Sequence, residues 1–125
     1  MKKILLVEDD QDIVRALTIR FKAQGYEVVA AFDVIQGTAV AVRESPDLAI
    51  LDISMPGGNG IILAERMQEN TGTAGLPIIF LTASKDPAIR EQALAAGAIA
   101  FIEKPYDAQL VIDLVNKALQ HKQAG

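Results

Sequence analysis

The 125-residue sequence contains no cysteine and no tryptophan, a single histidine, and aromatic residues at only 5% of its positions. Without cysteine there is neither a disulfide framework nor a thiolate metal site. A chain of this length buries roughly two thirds of its unfolded surface and needs neither device to hold a core. A basic surplus is also missing: 12 lysines and arginines face 16 aspartates and glutamates, for a formal net charge of −4. With no run of basic residues, a nucleic-acid-binding surface is not expected within this chain.

Long apolar runs are absent too, since none approaches the roughly 18 to 20 residues of a membrane span. The start, Met1-Lys2-Lys3-Ile4-Leu5-Leu6-Val7, has the basic flank of a signal peptide, but Glu8-Asp9-Asp10 ends the apolar run. A secretory signal needs an apolar region of about 7 to 15 residues. The expectation is therefore one soluble, cytoplasmic domain with no membrane partner.

What is present is half hydrophobic by count and arranged in blocks. Residues 4–7, 48–51 and 78–81 are short, continuous runs of mostly Ile, Leu and Val, as expected of strands buried on both faces of a parallel sheet. Residues 26–32 and 99–102 are two further strand candidates. Between these blocks lie segments with helical spacing, clearest in Leu110, Val111, Leu114, Val115, Ala118 and Leu119. Ile13, Ala16, Leu17, Arg20 and Phe21 form another, closed by Gly25. Asp86-Pro87 opens a third with a cap and a first-turn proline, and Gly97 closes it. Segments at about 34–43 and 60–69 complete the alternation.

Five βα units in a row imply an α/β domain: a doubly wound, three-layer sandwich with helices on both faces of the sheet. The domain is expected to fill residues 1–120, leaving 121–125 as a C-terminal tail or the stub of a connection. In such sheets ligands bind beyond the carboxyl ends of the strands, near the point where strand order reverses. The residues there are Glu8, Asp9 and Asp10 after the first strand, Asp52 at the end of the third, Thr82-Ala83-Ser84 after the fourth and Lys104-Pro105 after the fifth. Crowded carboxylates raise one another's pKa unless a cation neutralises them. Hard oxygen donors without His or Cys suit Mg²⁺ or Mn²⁺, which complete their shells with water and phosphate oxygens. Asp52 can then be a metal ligand or a nucleophile that accepts a phosphoryl group. In the second case the cation and Lys104 neutralise the phosphoryl oxygens and Thr82 donates a hydrogen bond to one of them.

Four segments in order at characteristic spacings make the chain similar, over about residues 2–120, to the receiver domains of two-component response regulators of the chemotaxis-regulator type. They are Ile4-Leu5-Leu6-Val7-Glu8-Asp9-Asp10, then Leu51-Asp52-Ile53-Ser54-Met55-Pro56-Gly57-Gly58-Asn59-Gly60, then Leu81-Thr82-Ala83, then Gly97-Ala98 leading to Lys104-Pro105-Tyr106. The resemblance implies a flavodoxin-like sheet in the order 2-1-3-4-5. It implies that Asp52 is the phosphoacceptor, that Glu8 and Asp9 form the acidic pocket, and that Asp9, Asp52 and the Ser54 backbone carbonyl bind Mg²⁺. Lys104 would contact the phosphoryl group, Thr82 would move toward it, Phe101 would turn inward in the active state, and the Lys104–Pro105 bond would be cis.

The same resemblance implies a signalling module, not an enzyme with a separate substrate. The phosphoryl group would come from the phosphohistidine of a sensor histidine kinase or a phosphotransfer protein, or from a small donor, and would leave by hydrolysis. The readout would be an output protein or fused effector domain, engaged by the face of the fourth helix, last strand and last helix; homodimerisation is a further option. That face is poor in charge: Gln92, Ala93, Ala95, Ala96, Ile99 and Ala100, punctuated by Glu103. Ser54 and Ser84 occupy the positions where the family tunes hydrolysis, and neither brings a carboxylate to assist water.

Blander readings exist for single residues. Asp10 reads first as the N-cap of the first helix, Thr82 alone as a turn residue, Lys104 alone as a surface lysine and Phe101 alone as a core aromatic. Asp52 resists such a reading, because an uncompensated charge at the end of an apolar strand is costly. Rival sites fare worse. Gly58-Asn59-Gly60 lacks the third glycine of a dinucleotide loop, where Leu63 stands instead, and a haloacid-dehalogenase-type phosphatase would want a second Asp where Ser54 stands. A constitutive binding module on a degenerate receiver, or a flavin or nucleotide binder on the same fold, remain the alternatives from other classes.

Overall fold

The computed structural model describes residues 1–55 and 58–124; Pro56 and Gly57 of the third-strand motif lie outside the described residues. Its main sheet contains β1 (Lys3–Val7), β2 (Glu27–Ala31), β3 (Leu48–Asp52), β4 (Ile78–Thr82) and β5 (Ala98–Glu103). The helices are α1 (Gln11–Ala23), α2 (Val34–Glu44), α3 (Gly60–Glu69), α4 (Pro87–Ala95) and α5 (Ala108–Ala124). The strands are parallel and ordered β2-β1-β3-β4-β5, the order expected. A short antiparallel ladder follows β3, pairing Ser54 with Asn59 and Met55 with Gly58. Helix α5 continues to Ala124, into the stretch read from sequence as a tail. Among the described residues, no helix is long and apolar enough to cross a membrane.

Continuous apolar runs are needed because each strand serves two cores. Leu5, Val7, Ala49, Leu51, Ile78 and Phe80 point to one face, where α2, α3 and α4 supply Val34, Val40, Leu63, Met67 and Ala93. Ile4, Leu6, Leu48, Ile50, Ile79 and Leu81 point to the other, against Leu17 and Phe21 of α1 and Val111, Val115 and Leu119 of α5. Odd and even positions of one run thus fill opposite layers, as the period-2 geometry of a strand requires.

Local signals set the helix limits. Asp10 caps α1, its Oδ1 accepting from the N–H groups of Asp12 at 2.9 Å and Ile13 at 3.3 Å. Asp86 caps α4 by accepting from Ala88 N–H, with Pro87 in the first turn. Gly25 and Gly97 follow α1 and α4 at φ of +91° and +95°, the left-handed region where a Cβ is strained.

One edge departs from regular pairing. Ile78 pairs with Ala98 but Ile79 pairs with Ala100, so Ile99 is an extra residue that bulges outward and is 53% exposed. Of the charge-poor face read from the sequence, Gln92, Ala95 and Ile99 are exposed, Ala96 and Ala100 half-buried, and Ala93 fully buried.

Phe80 is fully buried in the middle of β4. Phe80→Ala is expected to lower unfolding free energy by about 3–5 kcal/mol in a urea titration. A loss below about 1 kcal/mol would be incompatible with this packing.

Candidate phosphoacceptor and metal site

The chain reverses direction across the sheet at β1: β2 lies on one side of it and β3 on the other. The carboxyl ends of β1 and β3 therefore border the crevice where ligands bind in this architecture. Glu8 follows β1, and its N–H still donates to Ala31 O of β2 at 3.0 Å, so it stays in register with the sheet. Asp52 is the last residue of β3, and the next N–H, of Ile53, donates to Leu81 O of β4 at 3.0 Å. Both carboxylates are consequently carried on rigid main chain.

Glu8 is fully buried and Asp52 is 3% exposed. Lys104 Nζ bridges them, donating to Glu8 Oε1 at 2.7 Å and to Asp52 Oδ2 at 3.1 Å. The second oxygen of each is also engaged: Glu8 Oε2 accepts from Asp10 N–H at 3.1 Å and Asp52 Oδ1 from Ser54 N–H at 3.2 Å. Asp9 is exposed beside them, and one oxygen from each of Glu8, Asp9 and Asp52 lies within 4.8 Å of the others. Asp10 has turned away to cap α1.

Lys104 is held from its own main chain. Its N–H donates to Thr82 O at 2.7 Å, extending the β4–β5 pairing by one residue, and its bond to Pro105 is cis. Thr82 is fully buried at the end of β4, where its Oγ1 accepts from Ser84 N–H at 3.0 Å. That hydroxyl retains its proton for donation to an incoming acceptor. Ser54 is exposed, on the ladder that follows β3. Phe101 is not at the carboxylates: it is half-buried, packs on the α2–α4 core and lies with its ring centroid 6.0 Å from the Arg90 guanidinium carbon. Glu8, Asp9, Asp52 and Lys104 are thus brought together, Ser54 follows β3 and Thr82 ends β4, and Phe101 stands apart.

The electrostatics are those of a cluster short of positive charge. Burial pushes the Glu8 carboxyl up, and the neighbouring Asp52 adds to this, against the opposing pull of Lys104 and the Asp10 amide. Partial desolvation and the proximity of Glu8 push Asp9 up as well. For Lys104, burial alone would pull the ammonium down, but Glu8 and Asp52 outweigh it and hold it protonated above its usual range. Three carboxylate oxygens without nitrogen or sulfur donors fit a hard divalent cation. Three carboxylates beside one lysine leave negative charge for such a cation to neutralise.

Sequence reasoning missed two contributors. The Asp10 amide bonded to Glu8 is invisible in a side-chain pattern, and Tyr106, half-buried, has its phenol pushed up by burial and then by the Glu8 charge. Tyr106 does occur in the fourth motif segment, which was the available signal.

A buried, lysine-bridged pair of strand-end carboxylates beside a third defines an acid-pocket domain on a doubly wound sheet. The family model of the response regulator receiver domain matches residues 4–116, and the chain belongs to that family. It is a receiver domain of two-component response regulators, a signalling domain. It is 34% identical over 124 residues to the phosphate regulon transcriptional regulatory protein PhoB of Pseudomonas aeruginosa, covering 99% of this chain and 54% of that protein. With PilH of the same organism it shares 29% identity over 119 residues, covering 95% of this chain and 98% of that protein. The structure superposes on a CheY-like receiver domain protein from Methanospirillum hungatei with a TM-score of 0.92 at 28% identity, covering 100% of this chain and 99% of that one. The chain spans about half the length of the transcriptional regulators it matches.

Because Glu8 and Asp9 hold their protons more tightly in the folded than in the unfolded state, the folded chain binds more protons just above the usual carboxylate range. Their contribution to stability is therefore present in acid and lost as pH rises through that window. In EDTA, Asp9→Asn is expected to be more stable than the parent at neutral pH, by less than about 1 kcal/mol since Asp9 is exposed. The gain should shrink on mild acidification. Urea unfolding of both proteins across pH checks this; an Asp9→Asn variant less stable at neutral pH would contradict it.

Proposed function

We propose that residues 1–120 act as a phosphoryl-accepting switch in which Asp52 is the acceptor. A carboxylate oxygen of Asp52 attacks the phosphorus of a phosphohistidine, on a sensor histidine kinase or a phosphotransfer protein. The P–N bond breaks, a P–O bond forms, and the departing imidazole nitrogen recovers a proton. Hydrolysis of the resulting acyl phosphate returns the carboxylate and releases phosphate. The observation that carries this reading is the Lys104 bridge between two buried carboxylates, 2.7 Å from Glu8 and 3.1 Å from Asp52, beside the accessible Asp9.

Asp9, Asp52 and the Ser54 carbonyl are the groups assigned to Mg²⁺, or Mn²⁺ in its place, with Glu8 completing the acidic pocket. Bound there, the cation supplies positive charge to the phosphoryl oxygens during transfer. The chain's own residues do the rest. Glu8 anchors Lys104, whose ammonium has one hydrogen to spare for a phosphoryl oxygen. Thr82 offers its hydroxyl proton from the adjoining strand end, and its movement toward the modified Asp52 would release the space into which Phe101 turns. The α4–β5–α5 face, with exposed Gln92, Ala95 and Ile99, is the surface assigned to an output protein or domain. Such a module would work in the cytoplasm, without contacting nucleic acid or membrane through these residues.

Incubation with a small phosphodonor and Mg²⁺, followed by intact-mass measurement, should add one phosphoryl group to the parent and none to Asp52→Asn. EDTA should abolish the addition. No added mass in the parent would favour a constitutive binding module, and mass retained in Asp52→Asn would move the acceptor elsewhere.

A further inference from the structure

The strand end that carries Asp52 is closed upon itself by a residue with no side chain. After Asp52 the chain runs through the ladder in which Ser54 pairs with Asn59. It then returns so that Gly60 N–H donates to Ile53 O at 2.9 Å. Gly60 is buried and opens α3, and Asn59 Oδ1 caps that helix by accepting from Ile62 N–H at 3.0 Å. A Cβ on Gly60 would stand 2.3 Å from Asp52 O, 3.0 Å from Asp52 C and 3.3 Å from Ile53 Cα. All three are backbone atoms, so no rotamer change can admit it.

Neither side of this contact can withdraw at low cost. Helix α3 is fixed by Ile61, Leu63, Ala64 and Met67 in the core, and β3 is fixed by pairing on both sides. A methyl group at position 60 must therefore displace the Asp52–Ile53 main chain or peel back the first turn of α3. Glu8, and Asp9 next to it, would not follow, because Glu8 N–H is tied separately to Ala31 O of β2. The carboxylate cluster would open along the line between its β1 half and its β3 half.

We infer that Gly60 is a positioning residue for the cation and acceptor site: its missing side chain sets how closely Asp52 and Ser54 approach Asp9. This rests on the phosphoacceptor reading above, and deepens it by naming what holds the two halves of that site in register. The informative comparison is Gly60→Ala against Gly97→Ala. Gly97 lies at the opposite end of the sheet, and its φ of +95° makes the control costly to the fold without touching the site.

Mg²⁺ affinity is read by calorimetry, and phosphorylation by a small donor is followed by mass across a Mg²⁺ series. Gly60→Ala is expected to weaken Mg²⁺ binding by about tenfold or more, as loss of a group that orients metal ligands does, and to slow phosphorylation at saturating Mg²⁺. Gly97→Ala should leave both unchanged at a comparable loss of stability. A folded Gly60→Ala with parental Mg²⁺ affinity and rate overturns the inference, as does an equal fall in both variants. If Gly60→Ala does not fold, hydrogen exchange of the parent decides. Reciprocity requires Mg²⁺ to slow exchange of the Gly60 amide that clasps Ile53, and an unchanged amide overturns the inference. A parent that neither binds Mg²⁺ nor gains phosphoryl mass removes the phosphoacceptor reading itself, whereas a working parent with an unaffected Gly60→Ala removes only the role of Gly60.

Discussion

Two carboxylates buried at the ends of neighbouring parallel strands, with one ammonium between them, are the constraint on which the rest of the site depends. Burial of charge is tolerated only when paired and hydrogen-bonded, and both conditions are met at Glu8 and Asp52. Every carboxylate oxygen has a donor: Lys104 takes one from each, and the Asp10 and Ser54 amides take the others. The charge is nonetheless unbalanced, because Asp9 stands beside them and no second cation does among the described residues. The two cores on either side of the sheet supply the rigidity that keeps mutually repelling groups together. Part of the stability they confer is spent at this one edge, as is common where a site needs its groups pre-placed.

The architecture was legible because it has a repeated cause. Continuous runs such as 48–51 and 78–81 can be satisfied only by a strand with a core on each face, and Leu48–Asp52 and Ile78–Thr82 fulfil this with every residue buried. Caps at Asp10 and Asp86 and breaks at Gly25 and Gly97 are local chemistry and could be read locally. The second strand was read too generously at 26–32: Tyr26 packs toward α1 and α5, and Phe32, beyond the last pairing, is 40% exposed. At the fifth strand the outward bulge of Ile99 could not be foreseen, since it arises from mismatch with a partner strand and not from the run itself.

The membership of the site was legible and its geometry was not. Glu8, Asp9, Asp52 and Lys104 could be named from their positions after strands, yet the Lys104–Glu8 contact joins residues 96 apart in the chain and the Lys104–Asp52 contact residues 52 apart. Only the topology brings them to one edge. The same holds for the return of Gly60 onto the Asp52 carbonyl: the glycine is visible in the motif, but the backbone it must accommodate is not. Phe101, placed by resemblance among the switch residues, is half-buried against the α2–α4 core beside Arg90 and not at the carboxylates.

We propose that this cluster, three carboxylates beside one lysine, is completed by a divalent cation. The most direct test is carboxyl carbon NMR of the isolated chain, following Glu8 across pH with and without Mg²⁺. Glu8 is expected to titrate above the usual glutamate range in EDTA and to move down when Mg²⁺ is added, as neutralisation of its neighbours requires. A Glu8 that titrates at or below the usual range without metal, and does not respond to Mg²⁺, would contradict it.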